Sequence, residues 1–578
     1  PICEREGERE REGLEAGVGA AQMVGFVSVL SNAGDKRAYS FSEAALLGWA
    51  PDGGMFWPDA MPHLDPARLR EWARLPYSML CAELLKLFLS DGEALKPRDV
   101  DAICAEAFSR FGSPETVEVR RIRVPTVVGR GASSNTKCAY YVCELWHGPT
   151  LAFKDLGTAV LAHTLCHLLR KTNKKLTLLV GTSGDTGSAA MEAVRGMGDV
   201  VRMFVLYPLQ GFSSISPVQE AQMARVPPEE PHIHLIGVEG SSDDLDVPIE
   251  ACFHDASFRA KHSLGTMNSV NIVRLLVQAA TFIFAYLRVR PTAVGDVEFA
   301  VPCGAAGQLA SGLLAVALGL PARLVGGTNR NDALHRVLSG ALMRTSRAKQ
   351  TISPSMDIQV PYNLWRILYF ASRGDGGAVN RWRADLALGA LRLPETIVLS
   401  LGELLQTVAV SDAETLQTIK AVAELGYTLD PHSAVGVAAA LHQPFSTAPL
   451  DLTQGASALT VDMLDASSAM ICMACAHPVK FASTVADAIG VSPSEALSKM
   501  PDVHHHCIVQ QVAALAADTR KGYSSQQKLP PGCCAVLRRG EKHDWKMQLR
   551  NLIEGLDVGT NASSTGLAVD LKNLRSAL

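Results

Sequence analysis

The chain has 578 residues, too long for one compact core at roughly 100–200 residues per domain, so two to four domains are expected. It is 47% hydrophobic and 19% charged with a net charge of −4, which suits an α/β enzyme with a buried sheet and argues against a basic nucleic-acid or anionic-membrane partner. Its 13 cysteines are odd in number and scattered, so reduced thiols in an intracellular, cytoplasmic protein are expected rather than a secreted disulfide framework.

Pro1–Glu15 is dominated by Arg, Glu and Gly, with no apolar signal-peptide core, and residues 1–22 read as a disordered tail. Residues 23–120 look mainly helical, with Tyr77–Leu89 an amphipathic candidate. Polar stretches near Gly131–Lys137, Thr447–Gly455 and Ala516–Gly532 read as surface loops. From about residue 121 to 492 the pattern becomes strand–loop–helix, and residues 493–578 form a C-terminal extension. The predicted strands are Leu176–Val180, Val201–Leu206, His232–Val238, Glu298–Pro302 and Arg323–Gly326. Strands alternating with helices imply a mostly parallel sheet covered on both faces. The apolar run Val270–Leu287 carries Asn271, Arg274 and Gln278, and Leu309–Val325 is broken by Gly319 and Pro321. Both read as buried helix rather than membrane spans.

Two glycine-rich loops follow strands and open helices: Gly181–Gly187 and Gly304–Gly307. That geometry aims backbone N–H groups and a positive helix end at an anion. Neither fits GxxxxGK[ST] or GxGxxG, so an NTPase P-loop and a dinucleotide fingerprint are not expected. A turn requiring positive φ would also explain one isolated glycine. Lys154 is flanked by Leu151, Ala152, Phe153 and Leu156, so it can be desolvated, which favours a neutral nucleophilic amine. A surface lysine at a helix start is the plainer alternative.

HGPTLAFKD around Lys154, GTSGDTGSA at Gly181–Ala189, NSVNIVR at Asn268–Arg274, SPSMDIQ at Ser353–Gln359 and AHPVKF at Ala476–Phe481 together resemble the threonine synthase family, in that order. The resemblance covers roughly residues 25–490. Ala50–Gly54, Gly304–Gly307, Asp357–Asn363, Leu537–Gly540 and Asp544-Trp545 resemble its vertebrate threonine synthase-like 2 subgroup, read as phospho-lyases. Pro149 and Leu151 instead match the synthase form of the lysine motif.

The resemblance implies an α/β fold of the tryptophan-synthase-β type (fold type II) with an N-terminal threonine-synthase domain, and pyridoxal 5'-phosphate (PLP) as cofactor. It implies Lys154 as the Schiff-base lysine and proton shuttle. Gly304, Ala305, Ala306, Gly307 and Gln308 match the cofactor-phosphate cup, although threonine synthases proper tend to have GNFGN there. Thr182, Ser183, Gly184, Asp185 and Thr186 match the loop that meets the substrate carboxylate, with Asp185 where related folds carry Asn towards the cofactor hydroxyl. Cys475 falls where the family has Thr or Ser facing the pyridine nitrogen. Asn268, Ser269, Asn271 and Arg274 are candidates for the substrate's phosphate; Arg suits it through its planar fork, and a buried structural role is the alternative.

A metal site built from Cys472, Cys475 and His504–Cys507 is set aside, because the lone CxxC sits in an apolar run and adjacent residues cannot all face one ion. The expected partner is therefore a small phosphorylated amino acid, O-phosphohomoserine or O-phosphothreonine, with no nucleic acid, membrane or metal. Elimination would give 2-oxobutyrate, ammonia and phosphate. The alternatives are a true threonine synthase and a non-catalytic descendant kept for binding; the intact Lys154 argues against the latter.

Overall fold

The computed structural model describes residues 24–125, 138–442, 469–500, 533–537 and 545–559, apart from 33, 35–36, 91, 113–114, 210–211, 213–214 and 227–228. The N-terminal tail, the three polar stretches and His504–Cys507 lie outside the described residues.

Two sheets carry the molecule. One has six strands in the order Leu405–Ala409, Ala322–Thr328, Val297–Pro302, Ala469–Ala474, Ala139–Glu144 and Glu118–Ile122. Its neighbours run parallel except the last pair, where Glu118 opposes Glu144 in antiparallel register. Glu118–Ile122 (EVRRI) is a half-exposed edge, and its charges discourage further pairing. The other sheet is all parallel, in the order Cys533–Leu537, Ile233–Val238, Val201–Pro208, Leu176–Gly181 and Leu264–Gly265. Inner strands such as Ala469–Ala474 are buried at every residue, which is why they read as unbroken apolar runs rather than as alternation.

The five predicted strands form within a residue or two of their expected limits. The other strands are not among those predicted: Leu405–Ala409, Ala469–Ala474, Ala139–Glu144 and Glu118–Ile122 complete the larger sheet, and Leu264–Gly265 and Cys533–Leu537 edge the smaller one, the last from inside the expected C-terminal extension. The apolar run at Val270 becomes the helix Ile272–Val289, buried along nearly its whole length against the helices Tyr77–Lys86, Lys154–Thr172 and Gly307–Ala317. Its length and composition would suffice to cross a membrane, but here they serve the core. The second run splits as its breakers require, into the helix Gly307–Ala317 and the strand Ala322–Thr328, with Gly319 at φ +106° between them.

The N-terminal region packs on this frame. Phe26–Ser28 pairs with Phe56–Pro58, and the helix Phe41–Leu47 starts at a Ser40/Glu43 capping box. Tyr77 opens the expected amphipathic helix, which ends at Lys86, and its hydroxyl donates to Val277 O at 2.8 Å. Fully buried Arg366 joins three segments: it donates to Phe56 O (3.0 Å), Ser269 O (2.8 Å), Val270 O (2.5 Å) and Asn363 Oδ1 (2.7 Å). The described cysteines carry free thiols.

Candidate active site

A cavity opens at the carboxyl ends of strands from both sheets, lined by Gly181, Pro302 and Cys475 at those ends. This is where parallel α/β folds place ligands. Lys154 is the first residue of the helix Lys154–Thr172, and its side chain is 13% exposed. The loop before it is clipped to the segment after the strand Ala469–Ala474. Phe153 N donates to Cys475 O at 2.8 Å, and His477 N donates to Leu151 O at 3.0 Å. That clip brings Cys475 beside a lysine more than 300 positions earlier. Leu151, buried at φ +59°, holds a left-handed conformation that costs a non-glycine residue on the order of 1 kcal/mol and is tolerated because the clip fixes it.

Behind Lys154 lies Asp185, the first residue of the helix Asp185–Ala193. Its carboxylate is fully partnered. Oδ2 faces Lys154 Nζ (3.3 Å) and accepts from Ser355 Oγ (3.0 Å). Oδ1 faces Lys480 Nζ (2.7 Å) and accepts from Gln219 Nε2 (2.8 Å). Burial alone would raise its pKa, but the charges of Lys480 and then Lys154 outweigh it and hold the carboxyl well below the usual carboxylate range. The expected purely apolar surroundings of Lys154 are thus incomplete: it also meets an anion. Gly184 precedes Asp185 at φ +137°, and a Cβ there would strike Gln219 at 2.6 Å, so the turn requires glycine. Thr182 Oγ1 accepts from Gly184 N and Gly187 N, which fixes the loop.

The second loop leaves the strand Val297–Pro302 and enters the helix Gly307–Ala317 through Ala306 at φ +59°. Gly304, Ala305, Ala306, Gly307 and Gln308 all line the cavity. The first amides of a helix lack intrahelical acceptors, so this end offers donors to an anion. A Cβ on Gly304 would come within 2.9 Å of Ser355 O, and one on Gly307 within 3.0 Å of Ser269. Gln308 Nε2 is buried without a partner, while its Oε1 accepts weakly from Cys475 Sγ at 3.7 Å. Burial pushes the Cys475 thiol far up, so it stays a neutral, weak donor or acceptor.

Asn268, Ser269 and Arg274 also reach the cavity. Arg274 Nη1 donates to Met267 O at 2.8 Å; among the described residues its Nε has no partner and no carboxylate pairs with it. Burial lowers its pKa to about 10, so it remains a cation at neutral pH.

Three sequence-proposed residues do not line the cavity. Asn271 is the N-cap of the helix Ile272–Val289, accepting from Val273 N and donating to Ala45 O, so it serves packing rather than phosphate. Gly184 is backed by Gln219, and Asp185 stands one layer behind Lys154, its oxygens filled by protein donors. Several residues that do shape the site had no role in the sequence reading. Lys480, fully buried, lay inside the quoted AHPVKF motif, and Ser355 and Tyr362 lay inside quoted stretches. His432 had no signal beyond DPHS: its Nδ1 meets Asp430 Oδ1 at 2.9 Å, and its Nε2 accepts from Ser355 N at 3.1 Å. Asp243 and Asp246, from a polar stretch that resembles surface, also line the cavity.

Two α/β layers meeting at a lysine-bearing cavity, with a glycine-rich helix start in its wall, define the tryptophan-synthase-β architecture, fold type II of the PLP enzymes. Residues 29–108 match the family model "Threonine synthase N terminus", and residues 454–519 match "Threonine synthase, C-terminal". The second match runs across the boundary expected at residue 493. Human threonine synthase-like 2 is 36% identical over 91% of this chain and 97% of its own length. Threonine synthase of Saccharomyces cerevisiae is 33% identical over 78% and 87%. Among solved structures, PLP-bound threonine synthase from Brucella melitensis aligns with a TM-score of 0.71 at 28% identity, covering 92% of this chain and 99% of that one. The yeast enzyme gives 0.73 at 28%, covering 94% and 100%. The chain belongs to the threonine synthase family.

Proposed function

We propose that the protein is a PLP-dependent phospho-lyase that eliminates phosphate from O-phosphohomoserine or O-phosphothreonine to give 2-oxobutyrate, ammonia and phosphate. The observation that carries this reading is the pairing, in one cavity, of a lysine backed by an anion with a buried arginine that has none among the described residues. A buried cation without a counter-ion is costly unless a ligand supplies the charge.

The residues present fit the cofactor. The cup offers helix-end amides, the small Ala305 and Ala306 side chains and Gln308, whose Nε2 has no partner among the described residues, with the neutral Cys475 thiol beside it. Gly304 through Gln308 would hold the phosphate, Lys154 would bind the aldehyde carbon, and Cys475 would face the ring nitrogen. Bound there, PLP supplies an electron sink for the pair left when a substrate carbon loses its proton.

The chain's own groups then divide the work. Thr182, Ser183 and Thr186 bind the substrate carboxylate through the loop that Thr182 fixes. Lys154 Nζ takes the proton from Cα and, with O-phosphohomoserine, a second from Cβ so that the Cγ–O bond breaks and phosphate leaves; Asp185 holds its side chain in reach, and water hydrolyses the released enamine to 2-oxobutyrate and ammonia. Asn268, Ser269 and Arg274 bind the phosphate and stabilise the charge that grows as it departs.

Threonine synthase is the second reading, favoured by Pro149 and Leu151; it requires one water held at Cβ. Incubating the purified protein with O-phosphohomoserine and quantifying 2-oxobutyrate against threonine decides between them. Phosphate release with 2-oxobutyrate supports the lyase; threonine as the main product overturns it. No phosphate release and no visible cofactor absorption after reconstitution would leave a binding protein.

A further inference from the structure

The carboxyl of Asp246, half-buried against the cavity, differs from the buried carboxyls around the site. Asp185 has four donors, Asp155 accepts from Thr150, and Asp357 accepts from Thr351, Asn329 and Asn331. Asp430 accepts from His432 and Ser433. Asp246 opens the helix Asp246–His254 over the end of the strand Leu176–Gly181, where its Oδ1 lies 3.6 Å from the position a Gly181 Cβ would take. Among the described residues its side chain has no hydrogen-bond donor and no cation. The charges nearest it are acids: Asp243, in the preceding turn, and Glu250, one turn further along its own helix. Tyr362, from the loop across the cavity, feels both Asp246 and Arg274, and all three line the cavity together with Asn268.

An ionised carboxylate there would repel an anion that Arg274 attracts. A protonated one would donate to it. Building on the proposed phosphate subsite, we propose that Asp246 works as a carboxylic acid, donating a hydrogen bond to the substrate's phosphate and completing with Arg274 and Asn268 a subsite for a phosphate-monoester dianion. Burial, then the like charges of Glu250 and Asp243, push its pKa to about 8, in the direction this role needs. Keeping a carboxylic acid neutral at pH 7 so that it can donate is an established use of an apolar site. Asp243, whose Oδ2 accepts from Gln359 N at 3.2 Å, is pushed only to about 6 and is ionised when Asp246 begins to titrate. Arg274, lowered to about 10, and Tyr362, raised by burial, do not change charge in that window. Asp246 is therefore the group at this end that titrates between them.

The test is calorimetric titration of inorganic phosphate into the cofactor-loaded enzyme, whose cup is already filled, between about pH 7.5 and 9. In the wild type, affinity should fall about tenfold per pH unit above about pH 8, with proton uptake on binding near pH 8. Asp246→Asn, whose amide donates at every pH, should hold its affinity within about twofold over the range and lose that uptake. An Asp246→Asn enzyme with the wild-type fall in affinity would overturn the proposal. So would a variant that loses affinity for ammonium ion while binding phosphate unchanged, because the acid would then be a cation site. Arg274→Gln, scored only if it retains cofactor absorption, separates the two levels. If it leaves phosphate binding intact, the phosphate reading of this end fails. If it abolishes binding while Asp246→Asn keeps the wild-type pH profile, that reading stands and the role of Asp246 falls.

Discussion

The two ends of the cavity hold charge in opposite ways. At the Lys154 end, one carboxylate is shared by two lysines, a glutamine and a serine, and every oxygen is occupied. At the Arg274 end, among the described residues, a buried guanidinium has an unpartnered Nε and no ion pair, and the charged groups nearest the acid Asp246 are other acids. The first end is finished by the protein itself. The second is completed by whatever enters, so structural side chains and ligand-binding side chains separate by the state of their hydrogen-bond accounts. Arg366 supplies the control: it is as buried as Arg274, but carbonyl and amide oxygens accept from each of its three nitrogens, and its place is between segments rather than in the cavity.

Breaking the finished end at the lysine should have the largest effect. Lys154→Ala should lower phosphate release by more than roughly a thousandfold, because both cofactor attachment and proton transfer lose their agent. Single-turnover phosphate release measures it; near-normal release would remove Lys154 from the mechanism.

Lys480→Met leaves Asp185 buried with Lys154 alone. Removing one partner of a buried pair costs about 3–5 kcal/mol, and Lys154 should hold the loss to the lower part of that range. Denaturant unfolding of the cofactor-free protein measures it, and adding Asp185→Asn should recover part of the loss. Full wild-type stability in Lys480→Met would mean that the pair contributes nothing to the end's rigidity.

Arg274→Gln probes the unfinished end. A charge-assisted hydrogen bond to a ligand contributes about 1.5–3 kcal/mol, so KM for the phosphorylated substrate should rise about tenfold to a hundredfold. If kcat and KM were both unchanged, the guanidinium would be a structural cation like Arg366.

Much of the frame and part of the site were legible in the sequence. Strand–loop–helix units announce themselves locally, and Gly181–Gly187 and Gly304–Gly307 sit where a strand meets a helix. What local pattern could not show was pairing across the chain. Lys480 reaches Asp185 from 295 positions away, and nothing in AHPVKF says which acid it meets. His432 reads as any polar residue until Ser355 is brought to it by the fold. Asn271 was misread although its signal was present: an Asn directly before a long apolar helix is first of all an N-cap. Asp243 and Asp246 stand in a Ser- and Asp-rich stretch that looks solvated, and only the neighbouring sheet end encloses it. The half-exposed strand Glu118–Ile122 escaped for the opposite reason, since an edge rich in Glu and Arg has no apolar run to mark it.

The smallest expected effect gives the sharpest contrast between the two ends, because two acids should respond to the same substitution with opposite signs. Asp246 has a folded pKa of about 8, above the value of about 3.9 for an unfolded aspartate. Between those pH values the unfolded chain has released a proton that the folded chain keeps, so this group erodes stability as pH rises through that window. Asp246→Asn should therefore raise the melting temperature of the cofactor-free protein near pH 7, on the order of 1–2 °C in a chain of this size, with a smaller gain near pH 5. Asp185 runs the other way. Its folded pKa lies below the unfolded value, so its contribution is present at neutral pH and is lost only as pH falls below the usual carboxylate range. Asp185→Asn should lower the melting temperature near pH 7. Melting curves of both variants at the two pH values decide the matter: if Asp246→Asn melts with the wild type at each, its carboxyl is not held neutral in the folded protein, and the second end is as finished as the first.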